Sequence, residues 1–143
     1  LMKVIRRVDI IIINDEEAIQ LSGKDTLFAA AKEILSFGPK QIVIKKGEHG
    51  AMLFEDGKFF TIPAFPVEKV KDPTGAGDTF AGGFAGYLSQ IDKIDFEGMK
   101  LAVVNGTVMA SFCVEGFGTS VMENLDKEIA NNRLKEFKKY TKY

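Results

Sequence analysis

The sequence predicts an α/β fold with a mainly parallel sheet. Two short apolar runs, Val8 to Ile13 and Gln41 to Lys45, are rich in β-branched residues, as is typical of strands buried on both faces of a parallel sheet. Between these runs, the apolar positions from Leu27 to Leu35 follow a 3.6-residue period, which predicts a packing helix that ends at Gly38-Pro39. A glycine-rich stretch from Asp72 to Phe84 leads into a further helical pattern.

The composition indicates one soluble globular unit with a real core, since 45% of the 143 residues are hydrophobic and 27% are charged. The 19 basic and 20 acidic residues give a net charge of −1, so charge gives no reason to expect nucleic acid or an anionic membrane as a partner. The longest apolar runs, such as Ile10 to Ile13 and Leu101 to Val104, are far shorter than the about 20 residues of a bilayer span. We therefore expect no membrane segment.

Two features of the sequence predict the cellular location of the protein. It shows no basic start followed by a long apolar region and a cleavage site, so we expect no secretion and a cytoplasmic location. The only cysteine, Cys113, has no partner for an internal disulfide, which is typical of a protein in a reducing cytosol. Because Phe112 and Val114 flank it, we expect Cys113 to be a small core residue rather than a nucleophile.

The first predicted strand leads directly into a helix start. Asn14 suits the N-cap position, with Asp15, Glu16 and Glu17 in the first turn, and the helix is expected to end near Ser22-Gly23. Capping alone explains these polar residues. The alternative is a metal site, because a carboxylate at the carboxyl end of a parallel strand can bind Mg²⁺, often through retained waters.

The middle of the chain contains turns and a second capped helix. Asp25 is expected to cap the helix that begins near Leu27. After the second strand, Gly47-Glu48-His49-Gly50 is expected to turn the chain into a strand from Ala51 to Phe54, and Asp56-Gly57 is a strong signal for a further hairpin. The sequence thus predicts two successive hairpins.

The first hairpin loop carries candidate ligands. Lys45 or Lys46 could neutralise a phosphate, although lysines at a strand end are more often simply solvated. His49 is the only histidine, but a histidine in a glycine-bounded hairpin is more often a surface turn residue than a catalyst.

The stretch Asp72-Pro73-Thr74-Gly75-Ala76-Gly77-Asp78 combines a turn, glycines and a carboxylate just ahead of an apolar helix. The aromatic and apolar residues from Phe80 to Leu88 recur at helical spacing, so the helix should begin near Gly75 or Ala76. Its first N–H groups and its dipole would then form a site for an anion such as phosphate, with Asp78 beside them as a proton acceptor. The alternative is a glycine-rich helix start that only packs tightly on a strand.

The remaining residues predict three features of the later helices. Gly82-Gly83 weakens the first of them intrinsically, which indicates close backbone packing. Asp95 is expected to cap a long buried helix from Phe96 to Val114, in which Asn105 is a conspicuous polar residue, and a hydrogen-bonded core amide is one explanation for it. The segment from Asp126 to Tyr143 is expected to form an amphipathic charged helix.

Gly75-Ala76-Gly77-Asp78, together with Asn14-x-x-Glu17, resembles the signatures of the ribokinase-like, or PfkB, carbohydrate kinases. A dinucleotide fingerprint does not match, because Phe80 stands where its third glycine is required, and no Gly-Lys-Ser/Thr of a P-loop occurs in the sequence. The resemblance implies a three-layer, ribokinase-like α/β fold and ATP-dependent phosphorylation of a hydroxyl of a sugar or nucleoside.

The resemblance also implies roles for individual residues. Asp78 would take the proton from the acceptor hydroxyl, while the amides of Gly75, Ala76 and Gly77 would stabilise the transferring phosphoryl group. Asn14 and Glu17 would position Mg²⁺, directly or through water. The residues that would contact the nucleotide are Lys45, Gly47, Gly50 and Asn105. A monovalent cation such as K⁺ would bind at Asp72, Thr74, Ser111, Gly116 and Ser120, although Pro73 and Phe117-Gly118 depart from the family pattern.

Chains of this family are about twice as long, and the motifs found here belong to their C-terminal half. The resemblance therefore implies that residues 1–143 are a single, partial kinase domain, a fragment without the acceptor pocket and the lid that excludes water. The rival hypothesis is a noncatalytic nucleotide-binding module, which has no need of the Asp78 carboxylate. In a fragment, apolar faces would be exposed and would lead to a homodimer or to aggregation.

Overall fold

The computed structural model describes residues 1–142 in two compact units, the first from Leu1 to Thr61 and the second from Ile62 onward. The first unit contains α1 (Met2–Ile5), β1 (Ile10–Asn14), α2 (Asp15–Ser22), α3 (Leu27–Ser36), β2 (Gln41–Lys45), a 3₁₀ turn (Gly47–His49), β3 (Ala51–Glu55) and, at its end, β4 (Lys58–Ile62). The second contains α4 (Ala76–Leu88), α5 (Phe96–Cys113), a 3₁₀ turn (Met122–Asn124) and α6 (Lys127–Tyr140). Within residues 1–142 no helix has the length and apolarity needed to cross a membrane.

The strands form one sheet in the order β1-β2-β3-β4. β1 and β2 are parallel, with Ile12 opposite Val43, whereas β2 and β3 are antiparallel, with Val43 opposite Leu53. The predicted α/β class is confirmed, and so is the predicted hairpin between β2 and β3. The connections explain both pairings. Helices α2 and α3 allow a crossover from β1 to the parallel β2, whereas the short loop at residues 46–50 joins β2 to the antiparallel β3 as a hairpin.

The ends of α2 form as the sequence predicts. The Asn14 side chain accepts a hydrogen bond from the Glu17 backbone N–H, and the Glu17 carboxylate accepts one from the Asn14 N–H, which together make a capping box. Gly23 ends the helix in the left-handed conformation, with φ of 66°, which glycine adopts without strain.

The cap of α3 differs from the prediction. Thr26, and not Asp25, is the N-cap, and its hydroxyl accepts a hydrogen bond from the Ala29 N–H at 3.2 Å. Because the helix begins at Leu27, the residue directly before it is in position to reach this amide, and Asp25 lies one residue too early. The short helix α1 was not predicted, because its few residues carry no recognisable period.

The core of the first unit forms between the sheet and its helices. Ile42, Val43 and Ile44 are all fully buried, as expected for a strand that is covered on both faces. One contiguous apolar cluster joins β1, β2 and β3 to α1, α2 and α3, and its buried members are Ile5, Ile11, Ala18, Ala30, Ala31, Ile34, Ile42, Ile44 and Phe54.

Two glycines bring α4 and α5 of the second unit into close contact. A Cβ on Gly83 would lie 2.6 Å from Met109 Cγ, and a Cβ on Gly106 would lie 2.8 Å from the Phe80 carbonyl oxygen. Carbon atoms do not approach other atoms this closely, so both positions accept only glycine at this helix separation. The close packing predicted for Gly82-Gly83 is therefore confirmed at Gly83, whereas Gly82 faces open space.

The long helix α5 is largely buried, as the sequence predicts, although Leu101 is 50% exposed. Helix α6 packs on α5, and its buried Phe137 contacts Phe65 with 5.6 Å between the ring centroids. The helix predicted from Asp126 to the end of the chain is confirmed over Lys127–Tyr140, with Asp126 as its N-cap, and Tyr143 lies outside the described residues.

We predict that Gly106→Ala lowers the free energy of unfolding by about 1–3 kcal/mol, because the added methyl group would collide with the Phe80 carbonyl and push α4 away from α5. Urea unfolding followed by circular dichroism measures the change. Gly86→Ala is the matched control in α4, since no atom lies within 4 Å of its added Cβ, and it should raise stability by about 0.5–1 kcal/mol. A Gly106→Ala chain as stable as the wild type would contradict the packing.

Candidate active site

Residues 72–78 form a tight turn that leads into α4, and we call them the anion loop. The Asp72 carboxylate accepts a hydrogen bond from the Thr74 backbone N–H at 2.9 Å, and the Ala76 N–H donates to the Pro73 carbonyl at 3.1 Å. Gly75 is the N-cap of α4 and has φ of 82°, a left-handed conformation that favours glycine. The turn thus depends on a carboxylate near its start and a glycine near its end.

The amides of the first turn of α4 point to an anion site. Within the described chain, the N–H groups of Gly75, Gly77 and Asp78 have no hydrogen-bond partner, and the first helical hydrogen bond runs from the Thr79 N–H to the Gly75 carbonyl at 2.9 Å. These donors lie at the positive end of the dipole of a 13-residue helix. Such an N-terminus binds phosphate and other anions.

The Asp78 carboxylate lies in the same helical turn as these amides. Its side chain is exposed and makes no hydrogen bond or ion pair with any residue that the structure describes. A carboxylate without an internal partner can accept a proton from a bound molecule, and here it lies next to donors that can hold a phosphoryl group. The predicted amides and the predicted carboxylate therefore lie in one helical turn, and their roles as anion site and base stay a prediction.

The C-terminal end of α5 hydrogen-bonds to the anion loop and to the residue before it. The Val114 carbonyl accepts hydrogen bonds from the N–H groups of Lys71, at 2.8 Å, and Asp72, at 3.4 Å. The Cys113 thiol donates to the Thr74 carbonyl at 3.5 Å. Cys113 is 5% exposed, so it is the core residue that the sequence predicts, and it also contacts the loop.

Contacts with Thr74 also affect the charge of Asp72. The Thr74 hydroxyl, and to a lesser extent the Thr74 backbone N–H, hold the pKa of the Asp72 carboxyl below its ordinary value of 3.8. Hydrogen bonds to the ionised form favour that form, so Asp72 carries a negative charge at neutral pH.

In the first unit, Asn14 and Glu17 hydrogen-bond to each other in the capping box, with N···O distances of 2.7 and 2.8 Å. The capping explanation is therefore realised, and it uses the Asn14 side-chain oxygen and Glu17 Oε2. Glu17 Oε1 takes no part in the box, and an exposed carboxylate oxygen fits a hydrated Mg²⁺. Within residues 1–142, no cluster of three or more His, Cys, Asp or Glu side chains could hold a metal ion directly.

The Lys45–Gly50 loop begins at the same edge of the sheet as Asn14. Asn14 and Lys45 are register partners at the carboxyl ends of the parallel strands β1 and β2. Gly47 and Gly50 have φ of 54° and 87°, and the Lys46 N–H donates to the Gly50 carbonyl at 2.8 Å, which closes the turn. Open α/β sheets bind ligands at this edge, so the structure brings the Asn14 and Lys45 candidates of the first unit together.

Two other sequence candidates have local partners. The His49 side chain is 75% exposed, as expected for a surface turn residue. The Asn105 side-chain N–H donates to the Leu101 carbonyl at 2.8 Å, and its residue is half-buried in α5. This bond satisfies one donor of the Asn105 amide, and the predicted contact with a nucleotide base stays a prediction.

Among the residues predicted for a monovalent cation, which stay a prediction, the Ser111 side chain already contacts a cation of the protein. The Ser111 hydroxyl donates to the Val108 carbonyl at 2.6 Å and accepts a hydrogen bond from Arg133 Nη1 at 3.1 Å. A guanidinium is always positively charged, so this oxygen does not fit as a ligand of a second cation. The exposed Ser120 hydroxyl donates to the Phe117 carbonyl at 2.8 Å, and Gly116 is buried against Val121.

A sequence profile of pfkB family carbohydrate kinases matches residues 1–125 of this chain. The chain belongs to the PfkB family. Among its relatives, a cytidine kinase from Thermococcus kodakarensis is 42% identical over 90 residues, which are 61% of this PfkB chain and 32% of that kinase. The family predicted from the Gly75 to Asp78 motif is therefore confirmed.

Solved structures confirm the ribokinase-like fold of this PfkB chain. The aminoimidazole riboside kinase from Salmonella enterica, solved with aminoimidazole riboside and an ATP analog, matches with a TM-score of 0.81 at 27% identity, over 93% of this chain and 44% of that one. The ribokinase from Thermotoga maritima matches with a TM-score of 0.81 at 28% identity, over 94% and 45%. The chain spans about a third of the curated relative and less than half of these two structures.

Sequence reasoning missed the contacts of two side chains of the PfkB chain near the C-terminal end of α5, those of Cys113 and Arg133. Cys113 was predicted only as a core residue, and its contact with Thr74 spans 39 positions of sequence, which no local pattern reveals. Arg133 was treated as part of a charged helix. Its position four residues before the buried Phe137, on the apolar side of α6, is the signal that could have identified it.

We predict that Asp72→Asn removes an acid-sensitive part of the stability of the chain. The Asn side chain can still accept the Thr74 N–H, but it does not titrate. Because the folded pKa of Asp72 lies below 3.8, its contribution is fully present above that pH and is lost as the pH falls through the folded pKa. Unfolding measured between roughly pH 5 and pH 2 should show an acid loss that is smaller in the variant. A wild-type Asp72 carboxyl that titrates at or above 3.8 by NMR would contradict this prediction.

Proposed function

We propose that this PfkB chain is the nucleotide-binding and catalytic part of a kinase that transfers the γ-phosphoryl group of ATP to a hydroxyl of a sugar or nucleoside. The observation that carries the proposal is the pairing, in one helical turn, of the partner-free amides of Gly75, Gly77 and Asp78 with the exposed Asp78 carboxylate. A kinase needs donors for the transferring phosphoryl group and an acceptor for the hydroxyl proton, and this turn offers both.

In the proposed reaction, Asp78 accepts the proton of the acceptor hydroxyl as the hydroxyl oxygen forms a bond to the γ-phosphorus. The bond between this phosphorus and the bridging oxygen breaks, and ADP leaves with the electron pair. The amides of Gly75, Gly77 and Asp78 donate to the phosphoryl oxygens during the transfer. We do not assign this role to Ala76, which the sequence also predicted, because its N–H already donates to the Pro73 carbonyl.

We assign the other nucleotide contacts to the residues that the sequence singled out. Glu17 Oε1 and Asn14 would hold the hydrated Mg²⁺ that accompanies ATP, and this ion would neutralise phosphate charge. Lys45 and the loop glycines Gly47 and Gly50 would contact the phosphates, since they lie at the carboxyl edge of the sheet beside Asn14. Asn105 would contact the base.

The names of three relatives suggest which acceptor to test first. The three proteins described above are named for cytidine, a riboside and ribose, and each of these compounds contains a ribose ring. We therefore propose a ribosyl compound as the first acceptor to test, with other sugars next. A noncatalytic nucleotide-binding module remains the rival function, and it predicts ATP binding without any requirement for the Asp78 carboxylate.

We predict that the 143-residue chain binds ATP with Mg²⁺ at millimolar or lower concentration, and calorimetric titration tests this. Gly75→Val should weaken binding by about tenfold or more, because valine disfavours a φ of 82° and its branched side chain would stand where a phosphate must approach the amides. Circular dichroism shows whether both chains are folded. A folded wild-type chain that gives no heat at millimolar MgATP would contradict the prediction.

In a complete kinase that contains these residues, Asp78→Asn should lower kcat by about 10²- to 10⁴-fold and change the KM for ATP little. Asparagine keeps the size of the side chain but removes the proton acceptor and the charge. His49→Ala is the control, because the exposed His49 lies outside the anion loop and its loss should leave kcat unchanged. Steady-state assays of both variants measure kcat and KM, and a near-normal kcat for Asp78→Asn would show that Asp78 is not the catalytic base.

A further inference from the structure

Arg133 in α6 makes an unusual set of contacts for a residue of a charged helix. Its side chain is only 18% exposed, and its Nη1 lies 2.8 Å from Glu115 Oε2 and donates to Ser111 Oγ at 3.1 Å. The guanidinium carbon lies 3.6 Å from the centroid of the Phe112 ring and 5.0 Å from that of Phe65. The planar cation therefore stacks on aromatic rings while its edge binds oxygen atoms.

The partners of Arg133 enclose the residues that hold the anion loop. Ser111 and Phe112 lie in the last turn of α5 and Glu115 follows its C-cap, so that Cys113 and Val114 lie between these partners in sequence. Cys113 bonds the Thr74 carbonyl, and Val114 bonds the N–H groups that precede Pro73. A continuous path of contacts therefore runs from Arg133, through the last turn of α5, to the anion loop.

We propose that Arg133 is a positioning residue for the anion loop, a tethered cation that does the work of a bound monovalent cation at the end of α5. It immobilises the last turn of α5, so that the Val114 carbonyl and the Cys113 thiol keep the loop in the conformation that presents the Gly75, Gly77 and Asp78 amides. The inference rests on the proposed function for its catalytic meaning. The residue lies beyond residues 1–125, to which the family profile is matched.

The chemistry of the Ser111 hydroxyl supports a tethered cation over an exchangeable one. The hydroxyl proton is donated to Val108, and the oxygen already accepts a hydrogen bond from a guanidinium. A guanidinium keeps its charge at every physiological pH and cannot diffuse away. The geometry of the loop should therefore not depend on the salt that is present.

Three variants of the chain separate positioning from general stability. Arg133→Met keeps most of the apolar stem but removes the charge and the hydrogen bonds. Arg133→Lys keeps the charge without the planar fork. Phe137→Leu is the matched control, because it weakens the packing of α6 on Phe65 and removes no polar partner of Arg133.

The first measurement is amide hydrogen exchange by NMR at Lys71, Thr74 and Ala76, whose N–H groups are hydrogen-bonded in and beside the loop. Arg133→Met should accelerate exchange at these amides by about tenfold or more, Arg133→Lys should give an intermediate value, and Phe137→Leu should lower Tm without this local effect. Equal exchange in Arg133→Met and wild type, or equal acceleration by Phe137→Leu, would overturn the inference.

The second measurement is the Kd for MgATP, which Arg133→Met should raise by about tenfold while Phe137→Leu leaves it unchanged. If the wild type binds MgATP and Arg133→Met has the same Kd, the positioning role is overturned. If the wild type binds no ATP, the proposed function fails, and the exchange experiment still decides the inference because it needs no nucleotide.

The third measurement compares wild-type exchange at the same amides in KCl, NaCl and choline chloride of equal ionic strength. We expect the rates to agree within about twofold, because Arg133 supplies the charge in every salt. A tenfold protection that appears only in KCl would show that an exchangeable cation organises the loop, and it would overturn the tethered-cation proposal.

Discussion

The candidate site depends first on the close approach of α4 and α5. Gly83 and Gly106 have no side chains to separate the helices, so the backbone of one helix lies against the other. This contact fixes the first turn of α4 relative to the last turn of α5, and the anion loop spans that distance. The direction in which the loop amides point is therefore set by two glycines that lie outside the loop itself.

The capping box of Asn14 and Glu17 limits the metal contacts that these two residues could make. Their reciprocal hydrogen bonds satisfy two backbone donors at the start of α2, and this leaves a single carboxylate oxygen for outside partners. A metal held through water would leave the capping box intact, whereas direct binding of Mg²⁺ by both side chains would compete with it. The geometry thus favours an outer, water-mediated contact, which is the mode that Mg²⁺ commonly retains.

Local patterns predicted most of the fold and part of the site. The glycine before α4, the Asn14 cap and the period of α5 each act within a few residues, so the sequence shows them directly. The antiparallel pairing of β2 and β3 follows from the short glycine-bounded loop at residues 46–50, which the sequence identifies as a hairpin turn. The Cys113 and Arg133 contacts join residues 39 and 22 positions apart, and they depend on helix packing that no local pattern encodes.

Arg133 lies outside the part of the chain that carries the family motif, although it contacts the end of α5, which hydrogen-bonds to the anion loop. Every motif residue lies within residues 1–125, yet α6 begins at Lys127. A chain cut between these points would keep the anion loop, its glycines and its carboxylate, but Ser111 and Glu115 would lose their guanidinium partner and Phe65 would lose its contact with Phe137. If Arg133 positions the anion loop as proposed, such a truncated protein would keep every residue of the family motif and lose the residue that fixes the loop.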